Sequence, residues 1–366
     1  FFFKQKTAYE ISTRDWSSDV CSSDLVNMAK AQQDKSSKTL DIKLNRILAG
    51  NYQSTDFIIA DAKDADMAFG VRAAGPRTGR NFEENGPEIF KTRSEYLQDM
   101  RELIAQGVLD IILTSASNGE RLFKDKALGK KITLAVRGND ASDIWNPRGG
   151  NYPASPSRPF ATANLKIISK FCDLVLYSMT FNNDLDHDIR TLQAYKEFRM
   201  QAAEHGVRHF LEVFNPNAPQ NLQAKQTGSF VNDHIVRALA GVTSEERPKF
   251  LKIAYNGSES LRELSEHDPS LVVGILGGSA GTTRDTFELL YRAERSGGRV
   301  ALFGRKIQRA ESPLDLVALM RPVLEGNLTP QDAVNAYHAT LKRSGITAFR
   351  SLDDDKQVTE PALLAE

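Results

Sequence analysis

The chain has 366 residues, and its 47 Lys and Arg are matched by 47 Asp and Glu. Such balance argues against nucleic acid or an anionic membrane surface as the main partner. Two cysteines, Cys21 and Cys172, leave no room for a disulfide framework, and no apolar run approaches the roughly 18 residues of a membrane span. A soluble chain of a reducing compartment, the cytoplasm, is expected.

Residues 1–25 stand apart. They contain Lys-Gln-Lys-Thr-Ala-Tyr-Glu-Ile and then Asp-Trp-Ser-Ser-Asp-Val-Cys-Ser-Ser-Asp-Leu. Both runs resemble in-frame translations of sequencing-library adapter DNA. A targeting peptide fits poorly, because the segment lacks an apolar core and carries Glu10, Asp15, Asp19 and Asp24. An assembly artefact is expected here, with Met28 as the start. The remaining 341 residues hold 44 basic against 43 acidic side chains, and Cys172 is then alone.

Residues 26–38 are polar and expected to be loose. Residues 39–49 place Leu40, Ile42, Leu44, Ile47 and Leu48 at helical spacing and stop at Gly50. Short apolar runs at 57–60, 109–114, 132–136, 173–177, 209–214, 250–255, 271–276 and 300–303 read as strands. Helical patterns at 93–106, 119–128, 165–171, 186–204, 230–240, 261–267 and 283–295 separate them, and two more at 313–325 and 330–344 follow. Eight strands alternating with helices predict a parallel sheet, and their number and shortness favour a closed (β/α)8 TIM barrel. The barrel is expected over 39–348, its bottom plugged by the N-terminal helix, with extra C-terminal helices and a tail at 349–366. The loops after strands one and three, 62–92 and 138–164, are long for a compact domain. They read as lids, binding loops, disorder or an oligomer contact.

Lys252 lies in the middle of the sixth strand, between Leu251 and Ile253. A lysine there either reaches water or a carboxylate, Glu212 on the neighbouring fifth strand being the choice, or loses its charge and becomes an amine nucleophile. Glu212 is correspondingly an acid/base group or a charge balance. The seventh strand ends in Gly277-Gly278 and the eighth in Gly304-Arg305. Paired glycines let backbone approach a phosphate closely, and loops after strands seven and eight are the usual phosphate site of such barrels. Arg137, directly after strand three, is a second candidate for an anion or a partner for Asp140 or Asp173. Asp61 at the end of strand one reads as a proton shuttle, a hydroxyl ligand or a loop cap. Tyr177 reads as a proton donor or a core side chain. The six histidines lack ligand spacing, and Asp184, Asp186 and Asp188 suit the acidic first turn of a helix better than Mg²⁺. No metal and no cofactor is expected.

These strands resemble the class I aldolases of the deoxyribose-phosphate and archaeal-type fructose-bisphosphate aldolase superfamily. The resemblance implies that Lys252 is the Schiff-base lysine. It also implies that Gly277, Gly278, Gly304 and Arg305 bind phosphate, and that Asp61 is the aspartate ending strand one. Three positions depart from the pattern. Phe214 stands near the fructose-bisphosphate branch's tyrosine, strand seven has Ile275 and no lysine, and Asp61 is followed by Ala62 where the usual pair is Asp-His. The expected activity is a lyase acting on a phosphorylated sugar or keto compound through a lysine imine, in a homo-oligomer. A cofactor-free sugar-phosphate isomerase or epimerase, and a barrel that only binds a phosphorylated ligand, are the alternatives.

Overall fold

The computed structural model describes residues 38–77 and 89–365. The adapter-like leader, nearly all of 26–38, and residues 78–88 of the loop after strand one lie outside the described residues. Eight parallel strands close into a barrel. They are β1 (Ile58–Lys63), β2 (Ile111–Thr114), β3 (Thr133–Arg137), β4 (Leu174–Thr180), β5 (Arg208–Phe214), β6 (Leu251–Ile253), β7 (Gly274–Leu276) and β8 (Val300–Phe303). Their order follows the chain, and β1 pairs with β8 to complete the ring. The (β/α)8 expectation is therefore met, with the first strand ending three residues beyond its apolar run.

Side chains alternate across each strand, so two cores form. The inner one holds Ile58, Ala60, Leu113, Ala135, Leu176, Phe210, Phe250 and Leu302, closed from below by Leu40 and Leu44 of the helix Thr39–Leu48. That helix is the expected plug. It is tied to the barrel by Lys43, whose Nζ lies 2.7 Å from Asp110 Oδ2. The outer core packs Ile59, Val136, Tyr177, Val213 and Phe303 against the surrounding helices.

Two helices begin where their sequence signals say, whereas the helix expected over 119–128 runs Ala116–Lys124 and the one expected over 165–171 is the single turn Leu165–Ile168. Thr92 and Glu95 form a capping box before Arg93–Gln106, and Gly107 ends it in the left-handed conformation at φ 75°. Thr282 and Asp285 form another before Thr283–Arg295. The loop after β3 is more ordered than its composition suggested. A two-residue antiparallel ribbon joins Asp140–Ala141 to Pro159–Phe160. Asp143 fastens the loop across β4, accepting from Thr180 Oγ1 at 2.5 Å and Ser157 Oγ at 2.9 Å. Beyond the helices Pro313–Leu324 and Pro330–Arg343, the chain turns back onto the start of Thr283–Arg295.

Candidate active site

Register builds the site. Ser178 on β4 is level with Glu212 on β5, and Glu212 is level with Lys252 on β6. All three side chains point inward, two residues above the apolar layer of Leu176, Phe210 and Phe250. Arg137 enters the same layer from the end of β3. Glu212 is the hub. Its Oε1 lies 2.6 Å from Lys252 Nζ, and its Oε2 accepts from Ser178 Oγ at 2.6 Å and Arg137 at 3.1 Å. Arg137 also donates to Ser178 Oγ at 2.7 Å and through Nε to Asp64 Oδ2 at 2.6 Å. Asn139 fixes the Ser178 backbone, accepting from its N–H at 2.7 Å and donating to its C=O at 2.8 Å.

The four groups form an alternating chain, Asp64–Arg137–Glu212–Lys252, with two acidic and two basic side chains. Glu212 is 1 % exposed and Lys252 5 %. Burial of this depth is tolerable only because every charge has partners. Burial alone would raise the Asp64 carboxyl, but Arg137 and then Lys252 hold it below its ordinary value. Burial works against the Arg137 charge too, yet Asp64 and Glu212 raise it further above the usual arginine value. Asp143, hydrogen-bonded to Thr180, is pushed up by burial, with Glu212 adding to the effect.

Of the sequence candidates, Lys252, Glu212 and Arg137 therefore meet. Two others do not. Asp61 lies between the inward Ala60 and Ala62, so it points outward, into the layer beneath Arg93–Gln106. There it faces Lys63 Nζ at 3.3 Å, both side chains being sealed from solvent. Tyr177 also points outward, with its ring 5.0 Å from Tyr195 and 4.5 Å from Phe198. Neither reaches the Lys252 layer. Asp64, three residues after Asp61, is the carboxylate that β1 delivers to the cluster, and Ser178 is the hydroxyl that β4 delivers. Sequence reading passed over both. The signal for Ser178 was its inward parity with Leu174 and Leu176.

The glycine loops do come together. Gly278 has φ +65°, which admits glycine with little strain, and a Cβ on Gly277 would press on Phe303 at 3.0 Å. Lys306, after Gly304-Arg305, bridges the two loops, its Nζ lying 3.4 Å from Ala280 O. The anion it meets there is the chain's own Glu360, at 2.7 Å. A cleft of about 1250 Å³ opens beside these loops, bordered by Ala62, Thr283, Gly304, Arg305 and Lys306. Lys252 and Glu212 are not among its walls. No described helix is long and apolar enough to cross a membrane. Asp184 accepts from the His187 N–H at 3.1 Å, as the N-cap of Leu185–Glu204.

No family model and no curated protein matches the sequence. Solved structures do match in fold. An archaeal fructose 1,6-bisphosphate aldolase aligns over 78 % of this chain and 99 % of its own, with 14 % identity and a TM-score of 0.56. The fructose-bisphosphate aldolase of Slackia heliotrinireducens aligns over 81 % and 91 %, with 13 % identity and a TM-score of 0.57. Cgl0159 of Corynebacterium glutamicum aligns over 84 % and 98 %, with 15 % identity and a TM-score of 0.54. The chain thus has the closed TIM-barrel fold of the archaeal-type fructose-bisphosphate aldolases, a likeness of fold at low sequence identity.

Proposed function

We propose that this chain is a class I aldolase-like lyase, which breaks or forms a C–C bond in a phosphorylated sugar or keto compound through an imine on Lys252. The observation that carries the reading is the inward Lys252 amine held 2.6 Å from the Glu212 carboxylate, one layer above the apolar floor of Phe210 and Phe250. A fold neighbour described as a Schiff-base-forming fructose-1,6-bisphosphate aldolase adds support.

The chemistry needs the pair to hand over one proton. Glu212 takes it from the Lys252 ammonium, and the neutral amine attacks the substrate carbonyl carbon. The carbonyl oxygen leaves as water after taking up two protons, and the nitrogen keeps one positive charge in the protonated imine. When the bond between the α and β carbons breaks, its electron pair moves into the enamine. The β-hydroxyl loses its proton to an inward carboxylate, Glu212 or Asp64, and that half departs as an aldehyde. Protonation of the enamine and hydrolysis of the imine release the second product and restore the amine. Arg137 keeps Glu212 and Asp64 in place through the cycle and balances whichever of them is charged. The phosphate is placed at the loops of Gly277-Gly278 and Gly304-Arg305, with Arg305 as a charged contact.

Borohydride reduction in the presence of small phosphorylated aldehydes and ketones tests the reading. Sugar-phosphate turnover by Lys252→Met would transfer the assignment to the isomerase alternative, with another residue as base.

A further inference from the structure

The C-terminal segment carries a carboxylate into the place where the sequence calls for an anion. Lys306 is completely buried and Glu360 is 15 % exposed at its side chain. Besides the ammonium of Lys306, the Glu360 carboxylate accepts from Ser279 Oγ at 3.5 Å, and it lies 3.6 Å from the position a Cβ on Gly278 would take. Three residues of the glycine loop and the first turn after β8 are thus gathered around one borrowed oxygen.

The segment has its own anchor, separate from that carboxylate. Asp285, at the start of Thr283–Arg295, accepts from Thr359 N at 2.7 Å, Thr359 Oγ1 at 2.5 Å and Glu360 N at 3.2 Å, besides the Thr282 N–H of its capping box. Thr282 Oγ1 donates to Gln357 O at 2.7 Å. The backbone is therefore docked whether or not the Glu360 side chain stays in place.

Charge around the carboxylate is in excess. Lys306 is paired with Glu360, while Arg305 and Arg309 have no ion-pair partner among the described residues. Burial and the neighbouring Arg309 work against the Arg305 charge, and Glu360 supports it. Asp285 also faces Lys306 but is saturated with donors. The carboxylate is ion-paired with Lys306 alone, and a dianion would engage Arg305 as well as Lys306. The cleft of about 1250 Å³ reaches the rim of the site at Ala280, Arg305 and Lys306.

We propose that Glu360 is a tethered competitor: it occupies a phosphate-class anion site made by Lys306, Ser279 and Gly278, and a phosphorylated ligand binds there by displacing it. The proposal rests on the phosphorylated-substrate reading and adds a built-in brake to it. Its test uses inorganic phosphate and thermal unfolding of the full chain, titrated against chloride at constant ionic strength. Wild type, Glu360→Gln, Glu360→Asp and Lys306→Met are compared, with far-UV circular dichroism to confirm folding. Both Glu360 variants should reach half-saturation at a phosphate concentration lower by roughly tenfold or more. Lys306→Met should lose the saturable effect. Unchanged phosphate affinity in the Glu360 variants, with the effect lost in Lys306→Met, would overturn the competitor and leave the phosphate site standing. The absence of any saturable effect, Glu360→Gln included, would overturn both. Failure of both Glu360 variants to fold would make the carboxylate a structural clasp, which also overturns the proposal.

Discussion

Arg137 holds two buried carboxylates, Asp64 and Glu212, while Lys252 holds one. The two cations should therefore differ in what their removal costs. Arg137→Met strips Asp64 of its hydrogen-bonded cation and Glu212 of one of its two, and an uncompensated buried charge costs about 3–5 kcal/mol. Lys252→Met leaves Glu212 with Arg137 and Ser178, so a smaller loss is expected. Urea unfolding of the two variants checks the order; a larger loss for Lys252→Met would contradict it. The outward pair Asp61–Lys63 makes a different prediction. Burial pushes the Asp61 carboxyl up to about 6, against Lys63, with Asp99 and Asp64 adding to the rise. A carboxyl raised from 3.8 holds a proton in the folded chain that the unfolded chain has already lost. Its stabilising contribution is complete below 3.8 and disappears as pH rises through about 6. Asp61→Asn should remove that slope, so the difference in unfolding free energy between wild type and variant changes from pH 4 to pH 7. A constant difference would show that Asp61 does not titrate there.

At the scale of elements, the strands were legible because buried parallel strands are short apolar runs closed by polar residues. The site was less legible, because parity decides which residues reach it and parity depends on where a strand ends. Ala62-Lys63 looked like loop, since a second charge so soon after Asp61 does not suggest a buried strand. The chain keeps the strand by facing Asp61 and Lys63 toward each other on the outer side. That extension turns Asp61 away and hands the inward role to Asp64. Likewise β4 continues to Thr180, which puts Ser178 inside and Tyr177 among Tyr195 and Phe198. Lys252 and Glu212 were legible together because charged residues inside apolar runs have few other destinations. The tail carboxylate was not, since nothing local in residues 357–360 points to a lysine 54 positions away. The closing of the barrel supplies one further test. A Cβ on Gly304 would lie 2.7 Å from Ala62 O, across the β8–β1 seam. Gly304→Ala should cost about 1–3 kcal/mol through overpacking. Gly241, whose Cβ would meet nothing within 4 Å, is the control, with Gly241→Ala expected within about 0.5 kcal/mol of wild type. Equal melting temperatures for the two variants would mean that the seam yields without cost.

At the scale of the molecule, the barrel gives one layer of charge above an apolar floor and roofs it with the loop tied at Asp143. The plug of Leu40 and Leu44 and the capped helices hold that layer from below and outside. Lys252 serves the buried Glu212 as a charge partner, yet a pair of apolar side chains in place of Lys252 and Glu212 would fill the same space without the cost of burying charge. The account explains the lysine by its chemistry, and that claim has a direct measurement. The full chain is incubated with phosphorylated aldehydes and ketones, reduced with borohydride, and mapped by peptide mass spectrometry. The account predicts a stable adduct on the peptide containing Lys252, absent from Lys252→Met. No adduct on that peptide, together with undiminished sugar-phosphate turnover by Lys252→Met, would contradict it.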